Sequence, residues 1–453
     1  MLGIIFNLSV LGFFKYTDFF LENFNLFAQL LDFNLNIPLP HILLPLALSF
    51  VTFQQIAFLV DCYKRVNIRD MQEVKERNLK EYLLAEKALE ERVSKGDLES
   101  QSNKNLSLAQ RDSQDIHKEY DTDKNALTTS KDTQAHLQSK ESMHNEQSPQ
   151  TQINFLDYAL FICFFPQLIA GPIVHHKEMM PQFHSLFKHS NPIKWDYMAK
   201  GIFIFSIGLF KKVFIADAFA KWANAGFSVV ESGGVLNIAE SWATSLSYTF
   251  QLYFDFSGYC DMAIGLGLLF GIMLPINFNS PYKALNISEF WRRWHMTLGR
   301  FLKEYVYIPL GGNKNTKYKQ SRFYNTLNKI LTLRNLFIVA FLSGIWHGAG
   351  WGFVIWGSLH GSAMIIHRSY RFFLESSLAL NTSLMKLRHT RVYTILCWLL
   401  TFNFVNIAWI FFRSENVSGA MNLITGMFGI TWVELPQKIH HLPALLEHIG
   451  GRN

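Results

Sequence analysis

The chain has 453 residues, 49% of them hydrophobic and 15% aromatic, with only 17% charged and a formal net charge of +7. Soluble domains carry close to a quarter charged residues, whereas the stretches 33–60, 262–282, 335–367 and 392–412 contain no Asp, Glu, Lys or Arg at all. A helix crosses a bilayer core with about 20 mostly apolar residues, so these runs exclude an ordinary soluble domain and a nucleic-acid reader built on basic patches; the positive charge reads as loops facing anionic lipid.

In chain order, the apolar runs predict membrane segments at 1–14, 40–60, 155–175, 199–219, 240–256, 259–275, 335–351, 352–368 and 392–412, with 415–430 weaker. The expected fold class is all-α, a polytopic membrane helix bundle. The first segment is too short to span alone. It has neither a basic n-region nor a small-residue cleavage site, so it reads as membrane helix and not as a removable signal.

Residues 66–150 are a different polymer, with 13 basic and 17 acidic side chains. Within them, 70–95 reads as a charged helix with a narrow stripe of Leu79, Leu83 and Leu84. Residues 100–150 are too polar to bury a core. This divides the chain into N-terminal membrane helices (1–65), a hydrophilic, partly disordered insertion (66–150), a membrane core (151–412) and a C-terminal segment (413–453). Lys211 and Lys212 interrupt an apolar segment, either snorkelling or marking a bend. Lys314, Lys317, Lys319, Arg322, Lys329 and Arg334 crowd before the 335 segment, which predicts a cytoplasmic loop. Cys62, Cys163, Cys260 and Cys397 are widely spaced and read as small core residues.

The densest polar cluster runs from Ser288 to Gly312. Ser288 is a candidate N-cap. Phe290, Trp294, Thr297 and Leu298 share one helical face, and Arg292, Arg293, Arg300 and Lys303 share the other. That pattern predicts an amphipathic interfacial or re-entrant helix, with His295 on its apolar side and a turn at Gly311–Gly312.

The second cluster surrounds His347, inside the uncharged run 335–367. An ionisable residue at membrane depth is a functional candidate by default, and Gly344, Gly348 and Gly350 permit close approach of backbone or substrate. The competing reading is a histidine hydrogen-bonded between helices; His360 and His367 are weaker candidates. An imidazole suits acyl transfer, because its ordinary pKa of about 6.5 lets the neutral ring take a hydroxyl proton.

No metal-ligand spacing accompanies these histidines. Gly267 and Gly271 fit small-x-x-x-small helix packing better than a dinucleotide loop. Asp255 and Asp261 would orient a helix junction or line a polar entrance. The absence of a G-x-S-x-G elbow argues against a serine hydrolase.

Six ordered blocks, Leu44–Gln54, Phe164–Ile173, Gln251–Tyr259, Asn277–Tyr282, Glu289-Phe-Trp-Arg-Arg-Trp-His-Met-Thr-Leu298 and Trp346-His-Gly-Ala349, resemble the membrane-bound O-acyltransferase family. The likeness is to its bacterial branch, which includes the alginate O-acetylation membrane protein. It covers most of 1–60 and 154–412.

The resemblance implies a multi-pass enzyme of the cell inner membrane with re-entrant helices around a central tunnel. The donor would be acetyl-CoA or another acyl thioester, with no bound cofactor or metal. The acceptor would be an exported polysaccharide, peptidoglycan or teichoic acid, with a periplasmic or extracellular partner protein completing the transfer and no nucleic-acid partner. The family's catalytic histidine falls on His347 and its second position on His295. Arg292 and Arg293 would attract an anionic donor or reach lipid headgroups. With Trp294, Trp346, Asp255 and Asn279 they form the expected substrate-binding set.

Two departures stand out: family members have further helices upstream, so Met1 reads as a late start, and the loop after Tyr63 is lengthened by the insertion. Two other readings stay open. One is a channel or transporter for acyl groups or glycans, which would favour paired half-helix repeats that this sequence lacks. The other is an inactive truncated homologue.

Overall fold

The computed structural model describes residues 2–33, 35–63, 155–168, 171–186, 194–313, 322–376 and 390–429. The 66–150 insertion with its charged helix, the lysines at 314–319 and everything beyond 429 lie outside the described residues. The chain divides into two compact units, 1–62 with 156–453 and 63–155, and the helices are those of the first.

Among the described residues there are thirteen α-helices and no strand. The first two are α1 (Leu2–Leu30) and α2 (Leu48–Tyr63). Next come α3 (Phe155–Cys163), α4 (His176–Leu186), α5 (Trp195–Phe210), α6 (Asp217–Glu231) and α7 (Ile238–Leu269). The series continues with α8 (Ile287–Arg293), α9 (Met296–Leu302), α10 (Tyr324–His347) and α11 (Trp351–Ser376), and ends with α12 (Arg391–Arg413) and α13 (Val417–Met427). Three of them, α1, α10 and α12, are long and apolar enough to cross a membrane.

Several predicted segments change shape. The 1–14 segment is the front half of a 29-residue helix. Lys15 lies in mid-helix, and its ammonium is taken up by partners on other elements, Ser49 Oγ at 3.3 Å and the Trp346 carbonyl. The predicted pair 240–256 and 259–275 is one 32-residue helix, α7, opened by a capping box between Asn237 and Glu240.

The 155–175 segment is broken. Pro166 sits in a short 3₁₀ turn, Phe165–Gln167, after α3 has ended. The predicted 40–60 span begins as helix only at Leu48, and the weaker 415–430 candidate is the 11-residue α13.

α7 packs along α5 and α6. Where α5 meets α7 the backbones nearly touch, and glycine is required. A Cβ on Gly208 would stand 2.5 Å from the Gly258 carbonyl oxygen, and one on Gly265 would stand 2.6 Å from that of Gly201. This corrects the Gly267–Gly271 expectation, since Gly271 lies beyond the helix with φ +73° and terminates it.

Between α5 and α6 a π-helical turn occupies Lys211–Ala216. There Lys211 meets Asp261 at 2.5 Å, and Lys212 meets Asp255 at 2.5 Å and Asp217 at 2.9 Å. The two lysines therefore mark a change of helix geometry and are ion-paired.

The largest apolar cluster joins α6, α7, α8, α11, α12 and α13 through buried Phe227, Phe290, Trp294, Trp356, Trp409 and Leu423. Within it Asn406 accepts the hydroxyls of Ser245 at 3.0 Å and Thr249 at 2.7 Å, so this buried amide is partly satisfied across helices. A second cluster lays Phe53, Ile173, Leu298, Phe301 and Trp346 together. The candidate site lies between these two.

Candidate active site

The amphipathic stretch is expected as one helix from Ser288 and is two helices instead. The N-cap is Asn286, whose side chain accepts from the Glu289 N–H at 2.9 Å. Ser288 Oγ lies 2.9 Å from Nδ1 of His367. α8 stops at Arg293, Trp294 is extended, and His295 takes a left-handed conformation with φ 45° and ψ 53° before α9 begins. Such a conformation is costly for a residue with a Cβ and persists where surroundings enforce it.

Here they do so through the crossing segment 277–279. The Asn277 carbonyl accepts the Met296 N–H at 2.9 Å, and the Asn279 N–H donates to the Arg293 carbonyl at 2.9 Å. Asn277 Oδ1 takes the Thr297 N–H at 3.1 Å and its hydroxyl at 2.9 Å. The N–H groups that would have continued α8 are thus captured from outside.

The same oxygen decides the chemistry of His295, whose Nδ1 lies 3.1 Å from Asn277 Oδ1. A backbone N–H can only donate, so the atom facing Thr297 N is the amide oxygen. Nδ1 of His295 must then carry the proton, which leaves Nε2 with a bare lone pair. Nε2 is buried and finds no hydrogen-bond partner among the described residues. The ring is 1% exposed, and burial pushes its pKa down to about 3, so it stays neutral. Asn277 is a residue the sequence reading missed.

His347 is the last residue of α10. Its ring packs edge-on against Trp346 at 4.8 Å, Trp356 at 5.3 Å and Phe412 at 5.0 Å between centroids. Unlike His295 it keeps part of its surface open. Trp346 also lies 6.4 Å from His295, so one indole touches both imidazoles, which are 52 positions apart in the chain. That indole is fixed by Phe53, stacked on it at 4.8 Å, and Phe53 stacks in turn on Phe301 at 4.3 Å.

His360 is fully buried behind Trp356 and accepts from the Trp291 indole N–H at 3.3 Å. It is wall, not open surface.

Of the other expected site residues, only Trp346 joins the histidine pair. Trp294 is a core ring, 3% exposed, against Trp409 at 4.9 Å. Arg292 is exposed. Arg293 grips Glu289 at 2.7 Å and the carbonyl of exposed Asn279 at 3.3 Å. Asp255 is engaged by Lys212. No group of three or more His, Cys, Asp or Glu side chains suited to a metal ion occurs among the described residues.

Apolar helices of membrane-crossing length, with two imidazoles that share an indole, define an all-α membrane protein. The family model of the membrane-bound O-acyltransferases matches residues 30–412, and the chain belongs to that family. It is 46% identical over 439 residues to a peptidoglycan O-acetyltransferase of Helicobacter pylori, covering 96% of this chain and 65% of that protein. It is 32% identical over 434 residues to a probable alginate O-acetylase of Pseudomonas aeruginosa, covering 95% and 61%. A teichoic acid D-alanyltransferase of Bacillus subtilis is 27% identical over 285 residues, covering 61% and 65%. The chain thus spans less than two thirds of the length of these relatives.

Proposed function

We propose that this chain is an O-acyltransferase that moves an acetyl group from an acyl thioester, acetyl-CoA in the first instance, to a hydroxyl of peptidoglycan or an exported polysaccharide. The reading places it as a multi-pass protein of the cell inner membrane. Residues 151–412 with α1 and α2 form the catalytic body, with the hydrophilic stretch 66–150 inserted in the sequence between them, and a periplasmic partner protein completes delivery. Acetyl transfer and the acceptor classes rest on the names of the relatives.

The observation that carries the chemistry is the asymmetry of the histidine pair. His347 is less completely buried than His295 and serves as general base. The acceptor oxygen attacks the thioester carbonyl carbon while its proton passes to the His347 imidazole. The carbonyl re-forms as the carbon–sulfur bond breaks, and the departing thiolate takes that proton. The bare Nε2 of His295 accepts a hydrogen bond from a second donor on the acceptor molecule and orients it, since the reacting hydroxyl's one proton goes to His347. Arg292, exposed and cationic, is suited to an anionic donor, whereas Trp294, Arg293, Asp255 and Asn279 support the scaffold.

General-base help is worth roughly a hundred- to ten-thousand-fold in rate. His347→Ala should therefore abolish esterified acetate in the envelope while the protein stays inserted; unchanged acetylation would remove the assignment. Comparing ester acetate in peptidoglycan and in exopolysaccharide of a deletion strain identifies the acceptor.

A further inference from the structure

α10 ends at His347 because the chain turns extended at Gly348, with φ −167° and ψ 162°. The carbonyls of its last turn then lack the N–H donors that a continuing helix would supply. Two donors arrive from α1. Lys15 Nζ donates to the Trp346 carbonyl, and the Tyr16 hydroxyl donates to the Ile345 carbonyl at 2.6 Å. The same ammonium lies 3.3 Å from Ser49 Oγ and 5.7 Å from the centre of the Trp346 ring, the indole that touches both histidines. Among the described residues no carboxylate pairs with Lys15 within 4.0 Å. Its charge faces the negative end of α10 instead.

We propose that Lys15 and Tyr16 are positioning residues for His347, fixing the final turn of α10 so that the imidazole meets the reacting hydroxyl at a set distance. Lys15 contributes more than Tyr16, because its charge answers both a carbonyl and the helix terminus. This rests on the reading of His347 as the base. It assigns α1 a part in the reaction, although Lys15 and Tyr16 precede the family-model match at 30–412.

The test uses the full chain in a deletion strain and in vesicles, with Lys15→Met, Lys15→Gln, Lys15→Arg, Tyr16→Phe and His347→Ala in parallel. Esterified acetate is measured per inserted molecule, and thiol release from acetyl-CoA is measured in vesicles. A misplacement of the order of 1 Å costs on the order of a hundredfold. Lys15→Met should lose about that much kcat with KM within twofold, Lys15→Arg should recover most of it, Lys15→Gln part, and Tyr16→Phe should lose less than Lys15→Met.

Wild-type kcat in Lys15→Met overturns the proposal, as does an unchanged kcat with a raised KM, which would assign Lys15 to donor binding. Should Lys15→Met fail to insert, Lys15→Gln, which keeps a donor without the charge, decides on the same two measurements. An active His347→Ala removes the reading beneath the proposal; a silent His347→Ala beside a fully active Lys15→Met removes the proposal alone.

Discussion

At the residue scale, Asn277 gathers three donors on one oxygen and so fixes which nitrogen of His295 can act. Replacing it by Leu leaves a buried backbone N–H and hydroxyl unpaired, at about 1–3 kcal/mol, and frees the imidazole to change tautomer. Replacing it by Asp is more telling. A carboxylate against Nδ1 favours the imidazolium and raises the ring's pKa, so Nε2 becomes protonated and useless as an acceptor at neutral pH. The acid limb of the pH–rate profile in Asn277→Asp should move to higher pH, with activity recovered in base; a superimposable profile would show that the tautomer is immaterial.

Both histidines were legible from residue type and surroundings, an ionisable ring in an uncharged run and a polar cluster around another. Asn277 was not. Its effect is exerted 18 and 20 positions away, across a helix break that no Gly or Pro announces.

Elements show the same limit of local pattern. The periodicity from Phe290 to Leu298 continues smoothly through the break at His295, because tertiary hydrogen bonds override propensity there. The apolar run 1–14 stops short of Lys15, whose partner lies 331 residues on, so the run shows only half of α1. α7 was divided near Gly258, which is in fact a contact point against Gly208. By contrast, α12 matches its uncharged run 392–412 closely, whereas α10 begins at Tyr324 and takes in Lys329 and Arg334, expected in a loop, and α11 runs on to Ser376. The crossing of α5 and α7 can be tested by Gly265→Leu. Its side chain would run into the Gly201 carbonyl oxygen and the nitrogen and Cβ of Phe205, so the loss should reach or exceed the 1–3 kcal/mol usual for overpacking. Monodisperse folded protein in detergent should fall sharply, and a wild-type yield and melting temperature would show that the helices separate freely.

For the whole molecule, buried neutral histidines set how the fold responds to acid. His295 is pushed down to about 3 by burial, as is His175, where Arg300 and Lys177 add to the effect. His175 is held by the Tyr305 hydroxyl at 3.0 Å, which itself donates to Asp61 at 2.9 Å. Unfolded rings bind protons near the ordinary value of 6.5 while these folded ones do not. Their contribution is thus fully present above about pH 6.5 and is lost as pH falls from there toward 3. Melting temperature in detergent should decline across that window, and His175→Gln should flatten the decline; an unchanged slope would show the ring titrating freely in the folded state.

The most direct measurement on the account as a whole is thiol release from acetyl-CoA by purified protein, with and without a hydroxyl acceptor, for wild type and His347→Ala. The account predicts acceptor-dependent release by the wild type and a loss of roughly a hundred- to ten-thousand-fold in the variant. Equal release by both proteins would contradict it.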